Sequence, residues 1–236
     1  MRIILLFFVL FFICVNKAWS VNEKQFSFCY ENWRPFVYSN SVGEAEGLHI
    51  SAIKKALAPL GYQLVFIELP YMRCLKRVQA GEIDFALHVD EMDDILLIDH
   101  PIGSWDLLLA YQASSKEKMV GDNNIKIGKV VIARDYNYPQ VVLDMLKVKS
   151  KQILKRSFYT RNQQDVKNLF RLVENGFVDA ILVDKSWALF EMSRQKLAIT
   201  LSKHVLYSQP QYIGYIKQNS AAAEKIFQAL TAHANQ

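Results

Sequence analysis

The feature of this sequence that most constrains its fold is a segment that occurs twice. Leu75–Leu87 (LKRVQAGEIDFAL) and Phe170–Leu182 (FRLVENGFVDAIL) align without a gap. Each copy predicts the end of a helix, a glycine that stops it and a buried strand. Two copies predict a pair of similar lobes rather than a longer array of repeats. Identical positions include Val78 and Val173, Gly81 and Gly176, and Asp84 and Asp179.

Strand-like and helix-like patterns alternate around both copies. In the first half, strand patterns at 25–30 and 62–69 flank a helical pattern at 48–60 that stops at Gly61. In the second half, a strand pattern and an aromatic turn precede a helix that begins near Pro139. This alternation is typical of parallel sheets with right-handed crossovers, so we predict an α/β fold.

The order of these patterns predicts how the chain is divided. Residues 1–20 form a targeting segment, 21–108 and 205–236 the first lobe, and 109–204 the second lobe. The apolar stretch IGSWDLLLAYQ is a candidate crossing strand between the lobes. The chain leaves the first lobe, builds the second and returns after the stretch LSKHV.

The first twenty residues have the pattern of a secretory signal peptide. Arg2 supplies a positive start, Ile3–Val15 is an unbroken apolar run, and Ala18–Ser20 offers a small-x-small cleavage site. The apolar run is shorter than the roughly 20 residues that span a bilayer. We therefore expect cleavage after Ser20 and a periplasmic protein.

Composition and charge indicate an ordinary globular protein without a nucleic-acid partner. The chain has 236 residues, of which 51% are hydrophobic and 22% charged. Of its formal net charge of +5, Arg2 and Lys17 in the predicted leader contribute two. The one basic run, Lys147–Arg156, lacks interleaved aromatic residues, so we interpret it as a solvated helix face.

Two cysteines remain after the predicted cleavage. Cys29 ends the first predicted strand and Cys74 opens the helix of the first repeat copy, so both should lie at one edge of the sheet. Because an exported protein meets an oxidising compartment, we predict a disulfide between them. Two separate buried thiols are the alternative.

The mature chain resembles the bacterial periplasmic solute-binding proteins of family 3, two-lobed binders best known for polar amino acids. The matching stretches, in order, are NWRPFVY, GEAEGLHISAIKKAL, PYMRCLKRVQAGEIDFAL, ILLIDHPI, GKVVIARDYNYP and LVENGFVDAILVDKSWALF. The resemblance implies the type II periplasmic-binding-protein fold with a ligand cleft between the lobes. It also implies a monomer that binds a small polar solute without a cofactor, for an ABC permease or for a membrane sensor.

The ligand crevice of such sheets lies at the carboxyl ends of the strands, which selects candidate ligand-binding residues. Arg73 follows a predicted strand, where its planar fork of donors could hold an anion; an exposed arginine on a first helical turn is the alternative. The resemblance implies that Asp184 pairs with a ligand ammonium group, although it could simply cap a helix. The full set is Tyr30, Trp33, Phe36, Tyr71, Arg73, Asp90, Arg134, Tyr136 and Asp184.

One segment departs from the family pattern. Amino-acid-binding members carry an arginine for the ligand carboxylate after the first repeat copy, whereas this chain has HVDEMDDILLIDHP, with Asp94 near that place. Either Arg73 takes over that role, or the ligand is cationic and meets Asp90, Glu91 or Asp93. A solvated acidic turn is the third interpretation.

The sequence carries no recognisable catalytic or metal-binding pattern. The five histidines lack metal-ligand spacing, and neither a nucleophile elbow nor a glycine-rich phosphate loop is present. A few relatives of this fold are dehydratases, for which Asp90, Glu91 or Asp184 could supply a general acid. We therefore expect a binding protein, not an enzyme, with no metal.

Overall fold

The computed structural model describes residues 24–115, 127–158 and 160–235. The predicted signal peptide lies outside these residues. The strands are β1 Gln25–Tyr30, β2 Tyr38–Ser39, β3 Ala45–Glu46, β4 Gln63–Glu68, β5 Phe85–Val89, β6 Leu96–Leu97, β7 Gly103–Gln112, β8 Ile127–Ala133, β9 Ser150–Arg156, β10 Ala180–Asp184, β11 Ile199–Leu201 and β12 Tyr207–Tyr215. The helices are α1 Leu48–Leu57, α2 Tyr71–Gln79, α3 Gln140–Lys149, α4 Gln163–Glu174, α5 Lys185–Gln195 and α6 Ser220–Ala234.

Two β-α-β-α-β units form the framework, and each contains one copy of the repeated segment. In the first unit β1 lies between β4 and β5, and all three strands are parallel. In the second unit β8 lies between β9 and β10 in the same parallel arrangement. We call the two units, with their helices, the first and second lobes. This is the two-lobed α/β architecture that the sequence predicted.

Two long antiparallel strands connect the lobes. The first half of β12 pairs with β7, and its second half pairs with β5 of the first lobe. Beyond this pairing, β7 continues along β10 of the second lobe. The predicted boundary between residues 108 and 109 falls within β7, and the one between 204 and 205 falls just before β12. These domain boundaries therefore stay a proposal.

The repeated segment forms the same corner in both lobes. Gly81 and Gly176 follow their helices with φ angles of 73° and 70°, which confirms the predicted left-handed helix ends. The carboxylate of Asp84 then accepts a hydrogen bond from the backbone N–H of Ser27, at 2.8 Å. Asp179 does the same for the N–H of Lys129, at 2.6 Å. Each aspartate thereby ties its strand to the first strand of its own lobe.

The predicted disulfide is present. The Cys29 and Cys74 sulfur atoms are 2.01 Å apart, and both residues are buried. Cys29 lies near the end of β1 and Cys74 in the first turn of α2. The bond therefore fixes the start of α2 against the edge of the sheet where the ligand cleft was predicted.

The interpretation of Lys147–Arg156 as a helix face is wrong for most of the run. Helix α3 ends at Lys149, and Ser150–Arg156 forms the edge strand β9, which pairs in parallel with β8. Four of its seven side chains are exposed, so its polar pattern did not indicate a strand. Pairing with the buried β8 decides the structure of this segment, and the local sequence does not encode that pairing.

In the described part of the chain, no helix is both long and apolar enough to cross a bilayer.

Candidate functional site

A cleft between the lobes opens at the carboxyl ends of the parallel strands. About 840 Å³ of space, part of it open to solvent, lies between its walls. Side chains that follow β1, β5, β8 and β10 line it, together with residues of the crossing strands β7 and β12. Both lobes therefore supply its walls, as expected for the predicted ligand cleft.

Aromatic rings form most of the walls. Trp33 and Tyr71 come from the first lobe, and Tyr71 meets a ring of the second lobe. Tyr136 lies edge-on to both Tyr71 and Trp105, with ring centroids 6.2 and 6.1 Å away. The aromatic residues that line the cleft are Trp33, Tyr71, Trp105, Tyr136, Tyr138, Phe158 and Trp187.

Hydrogen bonds join the two lobes around the cleft. The indole N–H of Trp33 donates to Asp184 Oδ1 at 3.1 Å, and the Thr160 hydroxyl donates to the Asn32 carbonyl oxygen at 2.6 Å. The exposed Arg161 also forms an ion pair with the mostly buried Glu68, with 3.5 Å between Nε and Oε1. The structure therefore shows the lobes in contact, in a closed arrangement.

Asp184 is both a helix cap and a wall of the cleft. Its Oδ1 accepts from the Trp187 backbone N–H at 2.8 Å, which caps α5, and its Oδ2 accepts from the Asp106 N–H at 3.2 Å. Burial raises the pKa of Asp184 to about 6, despite these hydrogen bonds. The two interpretations of Asp184 from the sequence, cap and cleft residue, are therefore compatible.

Glu31 directly follows β1 and lines the same cleft. The Tyr136 hydroxyl and the Tyr71 backbone N–H lie near its carboxylate and lower its pKa. Burial nevertheless raises this pKa from 4.5 to about 7, because the two donors only partly replace the lost hydration. The acidic neighbours Asp135 and Glu68 raise it further. Glu31 therefore changes charge near neutral pH.

Deprotonation of Glu31 should lower the free energy of unfolding of the ligand-free protein as the pH rises from about 4.5 to about 7. In this interval the folded protein binds more protons than the unfolded chain, so the free energy of unfolding falls with rising pH. Urea unfolding at pH 5 and pH 8 should show a smaller fall in Glu31→Gln, which cannot titrate. The exposed Asp94→Asn is the matched control, and identical falls in wild type and Glu31→Gln would contradict the assignment.

Two histidines lie in contact beside this wall. His49 Nδ1 and His88 Nε2 are 2.7 Å apart, so one of these nitrogens donates a hydrogen bond and the other accepts it. Burial lowers the pKa of both imidazoles, to about 4 for His49. His88 lines the cleft and has a φ angle of 62°, which is uncommon for a residue with a side chain. A neutral histidine pair therefore supports the wall.

The structure brings five of the nine predicted ligand residues to the cleft. They are Trp33, Tyr71, Asp90, Tyr136 and Asp184. Tyr30 is instead a core residue, only 1% exposed, and its hydroxyl bonds to Ser39. Phe36 stacks on His49 with ring centroids 4.5 Å apart and touches the edge of Trp33, so it supports the wall from behind.

Neither predicted anion-binding arginine lines the cleft. Arg73 is exposed on α2, because it lies two residues, or about 200° around the helix, from Tyr71, which points into the cleft. Arg134 follows β8 but is also exposed, and its backbone N–H donates to the Arg156 carbonyl oxygen at 2.9 Å. Of the alternatives for Arg73, the exposed helical arginine agrees with the geometry.

The acidic segment after β5 is only partly solvated. Asp90 and Asp93 are buried, whereas Glu91 and Asp94 are exposed. Asp90 lines the cleft and accepts from Gln211 Nε2 at 3.3 Å, and Asp93 accepts from the Tyr71 hydroxyl. Interpreting the whole segment as a solvated turn is therefore wrong for these two aspartates.

Sequence reasoning missed several residues of the site. Glu31 follows β1 and could have been selected by the same strand-end argument that selected Trp33. Trp105 and Gln211 lie on the crossing strands β7 and β12, whose position at the cleft only the assembled sheet reveals. Thr160 lies before α4, and no local pattern distinguishes it.

Within the described residues, no group of three or more His, Cys, Asp or Glu side chains is placed to hold a metal ion.

Comparison with solved structures agrees with the two-lobed fold. An ancestral arginine-binding protein bound to arginine has a TM-score of 0.72 and 19% identity, over 90% of this chain and 93% of that one. The ancestral amino acid-binding protein AncCDT-1, a precursor of cyclohexadienyl dehydratase, has a TM-score of 0.71 and 16% identity, over 91% and 92%. A putative L-cystine ABC transporter from Listeria monocytogenes has a TM-score of 0.69 and 15% identity, over 89% of each chain.

These similarities confirm the type II periplasmic-binding-protein fold that the sequence resemblance implied. No protein-family model matches the chain. No curated protein sequence is significantly similar to it. At these identities the solved structures establish the fold, and the ligand has to be argued from the cleft itself.

Proposed function

We propose that this protein is an exported solute-binding protein of the family 3 type. It captures a small polar solute in the interlobe cleft, in the periplasm, and delivers it to an ABC permease. Export follows from the predicted signal peptide, and delivery from the resemblance. The structural neighbours are named as binding proteins for arginine and other amino acids, or as a transporter protein for cystine, which supports this class of function.

The observation that carries the proposal is the shared construction of the cleft. Trp33 of the first lobe bonds to Asp184 of the second, and Thr160 of the second bonds to the Asn32 carbonyl of the first. A solute between these residues contacts both lobes only when they are closed. Ligand binding therefore shifts the population toward the closed form, which a permease can recognise.

A thermal-shift screen of the mature protein tests this function. Amino acids, amines, small organic acids and short peptides are the classes to include. A solute at a hundred times its dissociation constant should stabilise the fold by about 2.7 kcal/mol. For a protein of this size, that is a rise of roughly 5 to 10 °C in the unfolding midpoint.

The screen needs a control for non-specific stabilisation. Trp33→Ala removes a wall of the cleft and one hydrogen bond between the lobes, so a true ligand should raise its midpoint much less than that of the wild type. Unchanged ligand after prolonged incubation, shown by mass spectrometry, distinguishes binding from dehydratase-like turnover. If no class raises the wild-type midpoint, the proposed function is wrong.

A further inference from the structure

We propose that the cleft selects an organic amine and holds its ammonium group with Glu31 and Asp90, without any partner for a ligand carboxylate. This inference rests on the proposed solute-binding function and names the chemical class of its solute. It follows from the charges of the cleft, from the groups behind them and from the aromatic walls.

The cleft has carboxylates and no basic side chain. Glu31, Asp90 and Asp184 line it, whereas no lysine or arginine is among its lining residues, all of which the structure describes. None of the three carboxylates forms an ion pair with a described cationic side chain. A buried carboxylate without a cationic partner is unfavourable, and a ligand cation would supply that partner.

Further acidic side chains behind the cleft add to its negative charge. Asp135 and Glu68 lie near Glu31, and both raise its pKa. Asp93 and Glu91 likewise raise the pKa of Asp90. Asp106 raises the pKa of Asp184. The side-chain charges that raise the pKa of these three groups are acidic, and only Glu68 among them forms an ion pair, with Arg161. The cleft therefore favours a cation over a carboxylate.

Two helix N-termini at the cleft are already occupied by protein carboxylates. A free helix N-terminus would favour a ligand anion. Glu31 lies near the Tyr71 N–H at the start of α2, which lowers the pKa of Glu31, and Asp184 accepts a hydrogen bond from the Trp187 N–H at the start of α5. The buried indole N–H of Trp187 has no acceptor among the described residues, but as one neutral donor it cannot balance a carboxylate charge.

The aromatic walls suit the remainder of such a ligand. Trp33, Tyr71, Trp105 and Tyr136 surround the space between the carboxylates. Ring faces attract cations and also bury the apolar body of an amine. Carboxylates that orient the ammonium group and rings that cover the rest of the molecule fit an amine better than a zwitterionic amino acid.

The test compares pairs of compounds that differ only in the α-carboxylate. Isothermal titration at pH 8 uses putrescine with ornithine, cadaverine with lysine, agmatine with arginine, and tyramine with tyrosine. We expect the amine to bind at least tenfold more tightly than its amino acid in one or more pairs. Equal or tighter binding of the amino acid in every pair would overturn the inference.

Variants identify the residues that hold the ammonium group. Glu31→Gln and Asp90→Asn should each weaken amine binding at least tenfold, because each removes a charge and keeps the shape of the side chain. The exposed Asp94→Asn is the matched control and should change affinity less than twofold. Wild-type affinity should also rise between pH 5.5 and pH 8, and this rise should be smaller in Glu31→Gln. Unchanged amine affinity in both cleft variants would overturn the assignment.

The outcomes separate this inference from the proposed function. If amino acids or organic acids bind and no amine does, the inference is wrong and the solute-binding function stands. If no solute of any class binds, both are wrong. Unfolding midpoints of the variants, measured in parallel, show whether a lost affinity reflects a lost fold.

Discussion

Reduction of the Cys29–Cys74 disulfide is expected to lower the free energy of unfolding by about 4 kcal/mol. The bond closes a loop with a sequence separation of 45 residues. The loss of loop entropy that it imposes on the unfolded chain gives about this value. Urea unfolding of the mature protein with and without a reductant measures the difference directly.

The disulfide prediction has an internal control. The double variant Cys29→Ala and Cys74→Ala should be insensitive to the reductant, so any remaining effect is not due to the disulfide. Reduction should also weaken ligand binding, because the bond fixes the first turn of α2, from which Tyr71 enters the cleft. Equal urea midpoints for the oxidised and reduced wild type would contradict the prediction.

The largest effect on binding is expected for Trp33→Ala, which should reduce ligand affinity about thirtyfold or more. Trp33 lines the cleft, packs edge-on against Phe36 and His88, and bonds to Asp184 across the lobes. Buried tryptophans at the centre of an interface commonly contribute 2 kcal/mol or more to binding. Titration with the solute that gives the largest thermal shift measures the loss.

Two further variants divide this effect into its parts. Trp33→Phe keeps an aromatic wall and loses the N–H, so it should retain part of the affinity. The exposed Phe177→Ala, whose parent side chain is 64% exposed, is a control for aromatic truncation outside the cleft. Wild-type affinity in Trp33→Ala would show that the solute binds elsewhere.

The sequence alone determined the architecture of this protein. The repeated segment with Gly81 and Gly176 predicted two similar lobes, because helix periodicity, a left-handed glycine and a buried apolar strand are local patterns. The strand-end rule then selected Trp33, Tyr71 and Asp184 for the cleft. The cysteine pair followed from the same rule, since both residues lie at one edge of the sheet.

Only the tertiary structure decided the charge of the cleft. Arg73 and Tyr71 lie two residues apart in the same helical turn, on different sides of α2, and which of them faces the cleft depends on how α2 packs on the sheet. Trp105 and Gln211 come from strands that cross between the lobes, and that pairing joins segments far apart in sequence. Strand β9 likewise exists because β8 offers it a partner. Local pattern specifies helices and strands, whereas the ligand site depends on side-chain directions that long-range packing sets.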